Sequence, residues 1–307
     1  MGSMSKGAGR AGLASLTALA AMVHGGAAWA GEGTAKPWQL GFQPAASPVM
    51  DEISWFHNSF LLPIIVVITI FVVLLLAICI LRFNARANPN PSRVTHNTML
   101  EVAWTVIPVL ILVAIAIPSF RLLYFQLDYL SEERPADITI KATGYQWYWN
   151  YEYPDHEEIA FDSYLVEEAD LEPGQPRLLT VDADVVVPVG KVVRLIVTAD
   201  PTGVIHAWAI PAFGVKIDAV PGRLNETWFK AERPGIYYGQ CSELCGRGHA
   251  FMPIAVRVVS EDDFNAWVET AKSAGLDEAN RILAEAAGKA AKKPRTVALS
   301  APAHPAE

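Results

Sequence analysis

The sequence predicts a two-helix transmembrane hairpin followed by an all-β domain outside the membrane, and three features carry that prediction. Two apolar runs, 60–81 and 102–124, reach the ~20 residues that cross a bilayer core. Beyond residue 130 the chain changes to short β-branched and aromatic runs broken by Gly, Pro and Asp, as in a sandwich or barrel. Composition agrees: 52 % of the 307 residues are hydrophobic and mean hydropathy is +0.24, high for a soluble protein. The length allows one globular domain beside the spans.

Residues 1–30 have a positive start (Lys6, Arg10), an apolar run and small residues flanking Trp29, the pattern of a cleaved secretory signal. Residues 31–54, rich in Pro, Gly and Ala, are expected to form an irregular lead-in on the outer side. The hairpin, within 55–128, has a short connection carrying Arg82, Arg86 and Arg93 and no acid. The positive-inside rule puts that connection in the cytoplasm and both outer ends across the membrane, in agreement with export. Cys79 lies inside the first run without polar company and is expected to pack as a small residue. Glu101 heads the second run and admits two roles. With Thr98 it has capping-box spacing, and an acid suits a first helical turn; an ionisable group at the edge of a span also marks ion paths.

In the outer region, strands are predicted over 137–143, 145–153, 177–182, 184–189, 191–199, 204–210, 226–231, 235–241 and 253–260. Alternation along the second would place Trp147, Trp149, Tyr151 and Tyr153 on one face, a rich hydrophobic core surface. Acids crowd the first half of this region, from Glu152 through Asp162 and Asp182 to Asp200. A solvated acidic face is the ordinary explanation; single-sign charge also steers a basic partner. After residue 260, E-D-D-F-N-A-W-V-E-T-A reads as a short helix with an acidic start. Residues 277–287 have amphipathic spacing, and the final stretch is expected to be disordered.

The chemistry concentrates in C-S-E-L-C-G-R-G-H-A-F-M, residues 241–252, with two thiols, an imidazole and a thioether. Thiolate and thioether are soft donors that suit copper, and imidazole suits copper and zinc. Two cysteines, Cys241 and Cys245, would let a pair of copper ions share bridging sulfurs. His206, after a β-like run, is the candidate second histidine. A disulfide and a structural zinc site are the alternatives. Gly246 and Gly248 favour a tight loop.

The block G-Q-C-S-E-L-C-G-R-G-H-A-F-M-P, the upstream H-A-W and the string G-Y-Q-W-Y-W-N-Y-E-Y-P resemble subunit II of the haem-copper cytochrome c oxidases of bacterial type. That resemblance extends from the first span to about residue 260, and it implies a cupredoxin-like Greek-key domain over 129–262 followed by a helical and disordered tail, 263–307. It also implies the dinuclear centre CuA. Cys241 and Cys245 would bridge the coppers, His206 and His249 would each bind one, and Met252 and the backbone carbonyl of Glu243 would complete the set. Trp147 would receive the electron from cytochrome c, and Glu101 would take up protons at the mouth of a channel into the catalytic subunit, with His96 a lesser candidate there. The Glu243 carboxylate would share a magnesium ion with that subunit, near Asp218 and Arg223. Glu152, Asp162, Asp182 and Asp200 would dock the donor. Relatives often carry histidine where this chain has Tyr145.

The resemblance thus implies an electron-transfer subunit of a proton-pumping oxidase in the bacterial inner membrane, with both termini and the copper domain periplasmic. Its partners would be the catalytic haem-copper subunit I and other oxidase subunits, with no nucleic acid. Oxygen chemistry would belong to the catalytic subunit, since this chain lacks the membrane histidines that bind haem and contains no C-x-x-C-H. The competing classes are a membrane-tethered copper chaperone and the CuA subunit of another respiratory oxidoreductase.

Overall fold

The computed structural model describes residues 33–127, 129–156 and 159–292; the predicted signal segment and the tail beyond 292 lie outside them. Helix α1 (Pro48–Trp55) starts within the expected irregular lead-in. Ser47 Oγ accepts the Met50 N–H, and Pro48 occupies the first turn, where its missing N–H has no helical partner to lose. The helix continues through a π-helical stretch (Phe56–Leu61) into α2 (Leu62–Arg82). The second long helix is α3 (Thr98–Leu127). Both helical runs contain a stretch long and apolar enough to cross a membrane, and those stretches are uncovered within this chain. The cap of α3 is not at Thr98 but one residue earlier, where Asn97 Oδ1 accepts the Leu100 N–H. Asparagine bonds a turn N–H as readily as threonine does, so spacing alone did not separate them.

The head contains β1 (Ile138–Tyr145), β2 (Tyr148–Glu152), β3 (Ala160–Ser163), β4 (Val185–Pro188), β5 (Val192–Ala199), β6 (His206–Ile210), β7 (Val215–Ala219), β8 (Asn225–Lys230), β9 (Gly235–Gln240) and β10 (Pro253–Val259). One sheet has the order β3-β2-β1-β5-β8 and another β4-β10-β9, with β6 and β7 as a separate pair. The parallel pairs β1 with β5 and β4 with β10 show that strands are exchanged between distant parts of the chain. Alternation is clear in β5: Val193, Leu195 and Val197 point inward while Arg194 reaches out to Glu226. Burying each such side chain contributes roughly 1.5–3 kcal/mol. Tyr153 ties β2's end to β4: its hydroxyl donates to the Val186 carbonyl and accepts the Val186 N–H.

Two predicted features differ. Residues 177–182 form a turn, in which Leu179 and Thr180 bond back to the Pro176 carbonyl, with a single bridge from Val181 to Leu165. Trp147 leaves the predicted strand face because the β1–β2 connection turns there, while Trp149, Tyr151 and Tyr153 are buried as expected. Helices α4 (Glu261–Ala274), capped by Ser260, and α5 (Leu276–Lys292) close the described chain.

The head is fastened to the hairpin. Trp228 of β8 stacks on Tyr129 at 3.7 Å and donates to the Gln126 carbonyl at the end of α3. Ala46 and Ser47, before α1, bond to the carbonyls of Ala212 and Phe213. The second set of contacts follows directly on β6, whose other end carries His206 and meets the loop after β9.

Candidate metal centre

Strand β6 delivers His206 and β9 runs directly into Cys241. The Ser242 N–H donates to the Ala207 carbonyl and the Cys241 N–H to the Met252 carbonyl, so the ligand loop is pinned to β6 and closed on itself. Cys241 Sγ lies 3.7 Å from Cys245 Sγ, 3.8 Å from His206 Nδ1 and 3.3 Å from the Glu243 carbonyl oxygen. Cys245 Sγ lies 3.6 Å from His249 Nδ1 and 3.6 Å from Met252 Sδ. All six predicted donors therefore converge. A disulfide needs sulfurs ~2.05 Å apart, so these thiols are not bonded to one another. A structural zinc site would leave the thioether without a role.

The donor set fits copper. Burial and the neighbouring Cys241 push the Cys245 thiol up to about 12, an unfavourable setting for a bare thiolate that a bound cation reverses. Burial, then the nearby His249, lowers the pKa of His206, which favours the neutral imidazole that a metal ligand requires. His206 Nε2 has no hydrogen-bond partner among the described residues, while Nδ1 faces the sulfurs. Space for the ring comes from Gly144, where a Cβ would stand 2.9 Å from His206 Cδ2.

Trp147 donates from Nε1 to the Cys245 carbonyl at 3.0 Å, joining the head's surface to the backbone of a ligand. Gly248 serves by lacking a side chain: a Cβ there would lie 2.3 Å from the indole. Gly246, at φ +111°, also needs its conformational freedom. Sequence reasoning saw a tight loop here but not that it wraps the tryptophan, nor that Arg247 lies over the ring at 5.3 Å; the only signal was the G-R-G spacing. Of the four acids, Asp162, Asp182 and Asp200 gather round Tyr148 and Tyr164: Asp182 accepts the Tyr164 N–H, Asp162 accepts the Tyr164 hydroxyl, and Asp162 and Asp200 both act on Tyr148. Glu152 is at the other end of β2, paired with Lys141 at 2.7 Å. Asp218 is opposite Ala207 in the β6–β7 register, beside His206, and Glu243 and Arg223 are exposed. Glu101 sits in the first turn of α3, away from the head.

Fold and donors together define a copper-type β domain carried on a two-helix membrane anchor. The profile described as cytochrome C oxidase subunit II, periplasmic domain, matches residues 138–259, and that of the transmembrane domain matches residues 35–122. The chain is 52 % identical over 249 residues to the "Probable cytochrome c oxidase subunit 2" of Rickettsia bellii, covering 81 % of this chain and 90 % of that one. It is 48 % identical over 274 residues to cytochrome c oxidase subunit 2 of Cereibacter sphaeroides, covering 83 % and 88 %. The crystal structure of the periplasmic domain of subunit II of cytochrome oxidase from Bradyrhizobium japonicum is 64 % identical, covers 45 % of this chain and 94 % of its own, and superposes with a TM-score of 0.42. The chain belongs to the cytochrome c oxidase subunit II family. It is a two-span membrane subunit of a haem-copper oxidase, working beside other oxidase subunits.

Proposed function

We propose that this chain is the electron-input subunit of its oxidase and that the convergence of Cys241, Cys245, His206, His249, Met252 and the Glu243 carbonyl on one point carries that role. Two copper ions held by this set would supply a one-electron acceptor and donor. The residues do the rest. Both cysteines are buried and the loop is pinned at both ends, which suits a fixed relay and disfavours a chaperone whose ligands must exchange. Trp147 offers the short route in, because one hydrogen bond separates its indole from the Cys245 backbone. Asp162, Asp182 and Asp200 form the negative ground on which a reduced, basic cytochrome c would dock, with Glu152 at its margin. The exposed Glu243 carboxylate is a hard donor suited to magnesium at the junction with the catalytic subunit.

The arginines of the connection favour the cytoplasmic side of a bacterial inner membrane for it and the periplasm for the head, in agreement with the cleaved signal expected over residues 1–30. Glu101 then stands at the cytoplasmic head of α3, where a carboxylate can take up protons. Rapid-mixing of the purified oxidase complex with reduced cytochrome c tests both residues. Trp147→Ala is expected to slow the first reduction of copper by roughly 10²-fold through lost positioning, and an undiminished rate would remove Trp147 from the route. Glu101→Ala is expected to leave that first step fast and to slow steady turnover; slowing of both alike would argue against proton uptake.

A further inference from the structure

A groove of about 470 Å³ opens on the flank of Trp147, within the size range of ligand-binding clefts. Trp147 and the half-exposed Phe251, next to the metal loop, line one part of it and Leu165, Leu171 and Leu178 another, together with the exposed Glu167. The far wall is held in place. Tyr164 N–H donates to Asp182, Val166 N–H donates to the Thr180 carbonyl, and Leu165 bridges Val181. Leu178 is kept at φ +64°, a conformation that a non-glycine residue holds only where its surroundings enforce it. The rim is negative. Arg177 is engaged by Glu168 at 2.6 Å, while Glu167, Asp170 and Glu172 have no cationic partner among the described residues.

An apolar floor with a carboxylate lip matches a long basic side chain, whose methylene stem lies on apolar surface while its charge stays at the edge. We propose that this groove is a docking subsite for the electron donor: it receives a lysine or arginine side chain from a basic c-type cytochrome, stem against Leu165, Leu171 and Phe251, cation at Glu167. The subsite rests on the assignment of Trp147 as the input point and deepens it, since the groove shares that indole as a wall. Seating the side chain would fix the donor's orientation over Trp147, where the pool of acids round Tyr148 only attracts it.

Steady-state oxidation of reduced cytochrome c by the purified oxidase complex distinguishes the two ideas. Leu171→Trp fills the groove without changing charge, and Glu167→Lys reverses the lip. Each is expected to raise KM about tenfold with kcat within about twofold, and Glu167→Lys to flatten the dependence on ionic strength. Glu269→Lys, the same charge change on the exposed side of α4, is expected to raise KM by less than about twofold. Both groove variants keeping the parent KM, or Glu269→Lys matching Glu167→Lys, would overturn the subsite. If Trp147→Ala still slows copper reduction in that case, the input assignment survives and only the groove is lost.

Discussion

Replacing Cys245 with serine is expected to empty the metal centre of the assembled oxidase and to lower oxidation of cytochrome c by more than about 10²-fold, beyond the cost of losing an outer-shell partner of a metal ligand. Cys245 Sγ is the hub of the set, within 3.6–3.7 Å of Cys241, His249 and Met252. A serine hydroxyl stays protonated near neutral pH, is a hard donor and cannot bridge two soft ions. Copper measured per complex, together with turnover, checks this. Cys79→Ser, exposed in the last turn of α2 and remote from the head, is the matched control and should change neither quantity. Full copper content in Cys245→Ser would show that sulfur at 245 is dispensable.

Gly239→Ala is expected to damage both stability and metal binding, although residue 239 touches no donor. A Cβ there would lie 1.8 Å from the Ala209 carbonyl oxygen and 2.9 Å from its carbon, so backbone must move. Gly239 is in β9, two residues before Cys241, and Ala209 is in β6, which begins with His206. Separating the strands pulls His206 Nδ1 from Cys241 Sγ. The expected cost is at or above the upper end of the ~1–3 kcal/mol typical of overpacking. Thermal unfolding of the complex and copper content after purification read the two effects. An unchanged melting temperature with full copper would mean that β6 and β9 are not in the close approach seen here.

Much of this was legible in the sequence because the signals were chemical or long. Two uninterrupted apolar runs can satisfy their backbone only as helices in a membrane, so the hairpin needed no further information. The donor types in 241–252 announced a soft metal site, and His206 was found because it followed a strongly β-like run. What was missed depended on contacts between distant residues. The start of α1 rested on Ser47 and Pro48, a two-residue signal inside a stretch that otherwise looked irregular. Strand β3, four residues long, reads as one more acidic loop until Asn150 and Trp149 pair with it. Trp147 shares the strand-like text of its neighbours, yet the turn detaches it and lays it on Gly248, 101 residues of chain away from any local cue. Spacing named Thr98 as a cap where geometry chose Asn97.

The central claim is that Cys241 and Cys245 jointly hold a pair of coppers in a relay. Electron paramagnetic resonance of the oxidized, copper-loaded oxidase complex, isotopically enriched in one copper nucleus, tests it most directly. The account predicts hyperfine structure from one electron shared equally between two copper nuclei. Structure from a single copper nucleus, or a silent centre with the sulfurs of Cys241 and Cys245 joined in a disulfide, would contradict it.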